Sequence, residues 1–263
     1  MLAFGRRCDP IIIQACINGA RPPDFHPALP LTADAMARDG AACIAAGAAE
    51  LHLHSRGPDG RESLAGGAME ATVTAVRQAC PGTLIGVSTG AWIEGDERRT
   101  LAAISGWREL PDYASVNLEE PGAAAVMDLL LRCGVGIEAG LASVADAERL
   151  VTLDRGRRAL RILIEVGEQE AGQARAVADG IKTVLRRAEV RRPLLLHGVD
   201  ATMWQFVTLA ARRRWSTRVG LEDGSRLADG TTAPGNAALV AAAAKVFADA
   251  MGGAVRGSGT LIA

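Results

Sequence analysis

Two histidines and one glutamate are the residues of this sequence best suited to bind a catalytic metal ion. His52 and His54 stand two apart in the run LHLHSR, and Glu222 stands in the run RVGLED. Residues two apart on a β-strand point to the same face, so both imidazoles would face one side. Two imidazoles and one carboxylate leave a coordination position free, as in a catalytic zinc site that polarises a carbonyl. Spacing alone is explained equally well by two hydrogen-bonded histidines at a rim.

Eight short apolar runs alternate with Ala-rich helical patterns along the chain, and this alternation is typical of βα units with a parallel sheet. Thr32 and the pair Gly235-Asn236 are suitable helix starts, and Met203 and Trp204 are expected to begin another helix. We therefore predict an α/β fold, a (β/α)8 TIM barrel that forms a single domain over residues 1–263. The predicted strands are residues 11–18, 49–55, 83–89, 113–119, 134–140, 160–166, 193–199 and 216–223.

An open doubly wound sheet is the alternative to a closed barrel. Its first βα turn would normally carry a glycine-rich phosphate-binding fingerprint, whereas the first predicted strand here ends in Asn18-Gly19-Ala20. In a closed barrel the last strand is adjacent to the first, and the second lies just beyond. Since active sites lie at the carboxyl ends of barrel strands, Glu222 is expected to face the two histidines across the rim.

Charge, hydropathy and cysteine spacing argue against nucleic-acid binding, membrane contact and a disulfide framework. The 29 basic and 30 acidic residues give a net charge of −1, so nucleic acid is not an expected partner. The chain has neither a signal-peptide layout nor an apolar run long enough for a bilayer, which predicts a cytoplasmic protein without membrane contact. Reduced thiols are expected in that compartment, because no CxxC pair occurs among the five cysteines, Cys8, Cys16, Cys43, Cys80 and Cys133.

Motifs along nearly the whole chain resemble the β-keto acid cleavage enzymes, also called the 3-keto-5-aminohexanoate cleavage enzyme family. The resemblance implies a (β/α) barrel, usually a homo-oligomer such as a dimer or tetramer, with Zn²⁺ held by His52, His54 and Glu222. It implies that a β-keto acid reacts with acetyl-CoA to give acetoacetate and a new acyl-CoA through a retro-Claisen step. The matching runs are INGARPP, HPALPLTADAM, AGAAELHLHSRGPDGRESL, GVSTG, DYASVNLEEP and RVGLED.

The same resemblance implies roles for further residues. Asp223 would be the general base, Arg218 would orient it, and Ser88 would bind the substrate carboxylate or a tetrahedral oxyanion. Each has a plainer interpretation: Arg218 and Asp223 as an ion pair at the rim, and Ser88 as a strand-end cap. Glu138 matches a glutamate common in the family, but it could equally brace the barrel interior, as could Glu165.

The substrate tail is the part that the sequence leaves open. His197 is a candidate substrate contact, or a satisfied core histidine. Arg21 stands where the family commonly has glutamate, and Glu119 and Glu120 replace a small residue and a threonine. The two glutamates would suit a cationic β-keto acid, whereas Arg21 would suit an anionic one.

Two other functions compete with this interpretation. The run GVSTG also fits the serine-hydrolase pattern GxSxG, with Glu138 or Glu165 and His197 completing the chain order of a triad. Against it, residues 91–96 are predicted to form a loop, whereas a nucleophile elbow leads directly into a helix. A non-catalytic barrel that binds a metal or metabolite is the second alternative, and a base such as Asp223 would have no use in it.

Overall fold

The fold is an eight-stranded parallel barrel with helices outside. The computed structural model describes residues 10–153, 156 and 158–256, the last six by backbone alone. Neighbouring strands follow the order β7-β6-β5-β4-β3-β2-β1-β8. Ser216 closes the ring between β7 and β8, since its N–H donates to Leu194 O at 3.1 Å and its carbonyl accepts from Leu196 N at 3.0 Å. The strands are Ile13–Cys16 (β1), Glu50–Leu53 (β2), Leu84–Ser88 (β3), Tyr113–Asn117 (β4), Gly136–Leu141 (β5), Arg161–Val166 (β6), Leu194–Gly198 (β7) and Thr217–Val219 (β8).

The helices begin where short polar side chains satisfy the first backbone N–H groups. Thr32 accepts from Ala35 N as predicted for the first helix, and Asp96 accepts from Arg99 N. The described α-helices are Ala33–Ala45 (α1), Gly66–Ala79 (α2), Ala91–Glu94 (α3), Glu97–Ser105 (α4), Ala123–Arg132 (α5), Val144–Thr152 (α6), Ala171–Arg187 (α7), Met203–Arg213 (α8) and Asn236–Arg256 (α9).

Side chains alternate across each strand, and β2 shows how this separates core from site. Leu51 and Leu53 are fully buried in the apolar core. Glu50 and His52 have the opposite parity and contact groups of the barrel interior. The two-residue period of β2 thus provides apolar packing and polar chemistry from one four-residue strand.

Below the rim, the barrel interior contains a buried polar cluster. Gln14 Nε2 donates to Tyr113 Oη at 2.8 Å and to Glu138 Oε2 at 2.9 Å. Arg161 Nε lies 3.0 Å from Glu138 Oε2, and its guanidinium also donates to Glu50. Buried charges are tolerated where they are paired in this way. The cluster fills the interior beneath the strand ends.

Two local expectations from the sequence are wrong. Strand β8 ends at Val219, not at Asp223, because residues 220–224 form a turn in which Gly224 N donates to Gly220 O at 3.0 Å. A Cβ on Gly220 would lie 1.9 Å from Cys16 O, so this close approach requires glycine. The segment after GVSTG is not simply a loop, since residues 91–94 form the one-turn helix α3.

Two further observations concern the cysteines and the possibility of a membrane-spanning helix. Cys16, Cys43, Cys80 and Cys133 are free thiols, and Cys8 lies outside the described residues. Within the described part of the chain, none of the helices combines the length and apolar character needed to span a membrane.

Candidate metal centre and active site

His52, His54 and Glu222 meet at the rim of the barrel, as the sequence predicted. His52 Nε2 lies 3.8 Å from Glu222 Oε2, and His54 Nε2 lies 3.6 Å from Glu222 Oε1. One ligand atom from each of the three lies within 4.8 Å of the other two. Both histidines are buried, and the Glu222 side chain is 13 % exposed. The three side chains are therefore close enough to share one ion.

The spacing fits a metal better than it fits hydrogen bonds. Donor atoms that bind a tetrahedral zinc at about 2.1 Å lie about 3.4 Å from one another. The separations of 3.6 and 3.8 Å, each to a different oxygen of Glu222, are near this value and too long for hydrogen bonds. Glu222 Oε2 and His52 Nδ1 are buried without a hydrogen-bond partner among the described residues. A carboxylate whose two oxygens each face an imidazole, with the oxygen beside His52 unpartnered, is an arrangement that a divalent cation would satisfy.

The side chain of Asn18 fixes the backbone of His54, which lies just beyond the end of β2. Asn18 Oδ1 accepts from His54 N at 2.9 Å, and Asn18 Nδ2 donates to His54 O at 2.9 Å. This two-point contact replaces the hydrogen bonds that the strand no longer provides. Asn18 is fully buried. It therefore joins the end of β1 to one of the candidate ligands.

Glu222 lies in the turn after β8, which is held from two sides. Asn236, at the start of α9, accepts from Leu221 N at 2.7 Å and donates to Ile17 O at 2.8 Å. Glu222 N donates to Cys16 O at 3.2 Å. Gly19 packs directly on the Glu222 side chain, and a Cβ at Gly19 would lie 2.4 Å from Glu222 Cγ. The end of β1 thus sets the position of the carboxylate.

Three carboxylates lie around one guanidinium nitrogen of Arg218. Its Nη2 donates to Glu222 Oε1 at 2.6 Å and to Asp223 Oδ1 at 3.2 Å, and it lies 3.6 Å from Glu165 Oε2. Arg218 and Asp223 are both buried. Asp223 Oδ2 has no hydrogen-bond partner in the described part of the chain. Arg218 therefore balances the charge of Asp223 and leaves one carboxylate oxygen of that residue free.

His197 links the candidate base to a more exposed carboxylate. Its Nδ1 lies 3.2 Å from Asp223 Oδ1, and its Nε2 pairs with Glu165 Oε2 at 3.2 Å. His197 is fully buried, whereas the Glu165 side chain is 37 % exposed. Although burial opposes ionisation of Glu165, Arg218 and His197 lower its pKa to about 2. Glu165 contacts the candidate site and not the polar cluster below it.

The electrostatics differ between the two candidate histidine ligands. Burial lowers the pKa of His52 to about 3, so its imidazole is neutral as metal binding requires. Burial acts in the same direction on His54, but the Glu222 and Glu62 carboxylates outweigh it and raise the pKa of His54 to about 9. Burial also opposes the charge on Glu222, yet Arg218 and the histidines hold its pKa well below the ordinary value.

Ser88 ends strand β3 and makes a local hydrogen bond. Its Oγ accepts from Gly90 N at 3.2 Å, which is the strand-end capping contact. Ser88 is absent from the described non-glycine residues with positive φ, whereas the serine of a nucleophile elbow is held in a strained turn. His197 pairs instead with Glu165 and Asp223. These contacts disfavour the serine-hydrolase alternative, and a substrate contact of Ser88 stays a prediction.

The residues predicted to recognise the substrate tail are already paired within the protein. Arg21 donates to Asp200 Oδ1 at 2.7 Å and to Glu222 O at 3.0 Å. Glu120 Oε1 accepts from Ala91 N at 2.9 Å, so it caps the short helix α3. Burial raises the pKa of Glu120.

The remaining glutamates divide between the surface and the interior. Glu119 is exposed. Glu138 is fully buried in the polar cluster with Gln14 and Arg161, which is the bracing arrangement that the sequence left open. Substrate contacts for Arg21, Glu120, Glu138 and His197 stay predictions.

Sequence reasoning missed the residues that hold the ligands in place. Asn18 stood out only as a strand end, and Asn236 only as a helix start. Glu62, which follows the PDGR run, contacts His54. The preference of Asn for strand ends and helix caps could have pointed to the first two. Spacing gives no corresponding indication for Glu62.

Family comparison agrees with this geometry. The family described as beta-keto acid cleavage enzyme matches residues 10–128 and 171–256, which include all three candidate ligands. The chain belongs to this family. The resemblance noted from the motifs is thereby confirmed.

Two named relatives share part of this sequence. A 3-keto-5-aminohexanoate cleavage enzyme of Fusobacterium nucleatum subsp. nucleatum is 37 % identical over 81 residues, which are 30 % of each chain. An enzyme of the same name from Acetoanaerobium sticklandii is 35 % identical over 95 residues, or 36 % of this chain and 35 % of the relative. The matched part thus spans about a third of either relative's length.

Solved structures confirm the barrel. The ternary complex of ObcA with a C4-CoA adduct and oxalate superimposes with a TM-score of 0.68 at 17 % identity, covering 87 % of this chain and 65 % of that one. The 3-hexulose-6-phosphate synthase of Salmonella typhimurium gives a TM-score of 0.53 at 14 % identity, covering 91 % of this chain and all of that one. At such identities the likeness shows the fold alone.

Proposed function

We propose that this protein is a zinc-dependent acyltransferase that condenses a β-keto acid with acetyl-CoA and releases acetoacetate and a new acyl-CoA. The observation that carries the proposal is the convergence of His52, His54 and Glu222 beside the buried pair Arg218 and Asp223. Family membership supports the β-keto acid as substrate. Acetyl-CoA as the co-substrate is the part of the proposal that rests on the motif resemblance to this family.

The bound ion would supply Lewis acidity, which polarises the substrate ketone and stabilises developing negative charge on its oxygen. Asp223 takes the α-proton of the β-keto acid through its unpartnered Oδ2. Arg218 balances the charge of this carboxylate before the proton arrives. Ser88 is proposed to bind the substrate carboxylate or an oxyanion at the end of β3.

The bonds that form and break balance without a further reactant. The carbanion attacks the acetyl thioester, and CoA leaves as its thiolate. The thiolate adds to the original ketone, and cleavage of the adjacent carbon–carbon bond releases the new acyl-CoA. Acetoacetate leaves after its carbanion regains the proton that Asp223 holds. No covalent bond to the protein is required.

The test is a panel of β-keto acids incubated with acetyl-CoA and scored by mass spectrometry for acetoacetate and new acyl-CoA. Tails that are cationic, anionic and neutral are all included, because Arg21 and Glu120 are both paired internally. We expect turnover of at least one member and its loss in the metal-depleted protein. Activity that persists after metal depletion and is abolished by a serine-directed fluorophosphonate would favour the hydrolase alternative.

Three companion measurements test parts of the proposal. Zinc-loaded protein that turns over none of the panel supports the non-catalytic binding barrel. Because two imidazoles and a carboxylate also suit non-haem Fe(II), the metal analysis measures iron as well as zinc. A cytoplasmic dimer or tetramer is part of the proposal, and light scattering of the purified protein measures the assembly state.

A further inference from the structure

The loop between β2 and α2 forms a small hairpin that returns to the candidate metal site. Arg56 and Glu62 form an isolated antiparallel bridge, and Gly57 N donates to Arg61 O at 2.8 Å. The turn between them is made by the PDG part of the motif, where Gly60 has a φ of +77°. This hairpin places the Glu62 side chain, eight residues after His54 in sequence, back against that imidazole.

Glu62 is bonded at both of its oxygens. Oε1 lies 2.5 Å from His54 Nδ1, and Oε2 accepts from Trp92 Nε1 at 3.1 Å. The indole of Trp92 also stacks on the His54 ring, with ring centroids 6.4 Å apart and planes inclined by 26°. Gly90 gives room for that ring, since a Cβ there would lie 2.3 Å from it. Trp92 therefore holds both the carboxylate and the imidazole.

His52 provides an internal contrast. Its Nδ1 is buried without an acceptor among the described residues, whereas the Nδ1 of His54 meets a carboxylate. When a carboxylate accepts a hydrogen bond from the Nδ1–H of a histidine, it fixes the tautomer and ring orientation and increases the basicity of the other nitrogen. In His54 that other nitrogen is Nε2, which faces Glu222.

We propose that Glu62 is a positioning residue that holds His54 with Nε2 directed at the metal, and that Trp92 fixes Glu62 in turn. This inference rests on the proposed metal site and adds a function for the PDGRE segment and for an indole that is 52 % exposed at the rim. Neither residue is one of the three candidate ligands or one of the proposed acid–base groups. Their effect is exerted through His54 on metal affinity.

The experiment measures the zinc dissociation constant of the full-length protein by competition with a chelator. Glu62→Ala is expected to weaken zinc binding by about 10- to 100-fold. Glu62→Gln keeps an acceptor oxygen and should lie between that variant and the wild type. Trp92→Phe keeps an aromatic ring but removes the N–H donor, so it should weaken zinc binding less than Glu62→Ala does. Glu70→Gln, at an exposed position of α2, is the matched control and should bind like the wild type.

A second readout separates positioning from general stability. In the zinc-loaded protein, the ¹⁵N resonances of the His54 ring should show a proton on Nδ1 that is hydrogen-bonded to a carboxylate, and this feature should disappear in Glu62→Ala. Circular dichroism confirms that each variant is folded, and Glu62→Gln carries the test if Glu62→Ala does not fold.

The outcomes for this inference and for the proposed function are distinct. The inference is overturned if Glu62→Ala and Glu62→Gln bind zinc as tightly as the wild type. If the wild type binds zinc and these variants lose affinity, the inference holds even when no β-keto acid reacts. If the wild type binds no zinc, both proposals are wrong.

Discussion

Replacement of Gly19 by alanine should displace the Glu222 carboxylate without removing any ligand. The new Cβ would lie 2.4 Å from Glu222 Cγ, whereas carbon atoms in contact are about 3.5 Å apart or more. The glutamate must therefore move by about 1 Å, and metal–ligand distances tolerate only about 0.2 Å. Gly19 also has a φ of +57°, which costs a residue with a Cβ about 1 kcal/mol.

Gly82→Ala separates the two effects. Gly82 has a φ of +80°, but a Cβ there would meet nothing within 4 Å, so alanine at this position bears the backbone cost alone. Both variants should unfold at slightly lower urea concentration than the wild type. Only Gly19→Ala should weaken zinc binding, by about 10- to 100-fold in a chelator competition. Equal zinc affinity in the two variants would show that Gly19 does not set the position of Glu222.

Three further changes have expected outcomes. Glu222→Ala should be purified without zinc, which elemental analysis by inductively coupled plasma mass spectrometry measures. Full zinc occupancy of this variant would contradict the ligand assignment. Asp223→Asn should keep zinc but lower turnover by about 100-fold or more, and wild-type activity would show that another group is the base. Burial raises the pKa of Asp39 to about 6, so its charge destabilises the folded state as pH rises from about 4 through 6. At pH 8, Asp39→Asn should therefore have a free energy of unfolding that exceeds the wild-type value by at most about 3 kcal/mol in urea denaturation. Near pH 4 the variant and the wild type should be almost equally stable. The same stability difference at both pH values would contradict this cause.

The barrel and the three candidate ligands could be predicted because each depends on a strong local pattern. Eight apolar runs separated by helical segments are compatible with only a few parallel-sheet topologies. The HxH spacing places the side chains of His52 and His54 on the same face of their strand. Glu222 followed from the adjacency of the first and last strands. The motif resemblance then added a function that spacing alone left open.

The wrong expectations come from contacts that a local pattern does not contain. The whole run STRVGLED has the residue pattern of a strand. Strand β8 nevertheless ends at Val219, because the chain turns at Gly220, where the backbone lies too close to Cys16 O for a Cβ. The internal partners of Arg21 and Glu120 could not be predicted either, and the substrate contacts of these two residues stay predictions. Arg21 pairs with Asp200, which lies 179 residues away along the chain. Such pairs depend on loop geometry, which the spacing of residue types does not specify.

The most direct test is a crystal structure of the zinc-loaded protein with anomalous diffraction recorded on both sides of the zinc absorption edge. One zinc peak is expected at about 2.0–2.2 Å from one nitrogen of each of His52 and His54 and from an oxygen of Glu222. An open coordination position is expected beside Asp223. A zinc peak elsewhere, or an intact rim in which these three side chains bind no ion at saturating zinc, would contradict the proposed metal site.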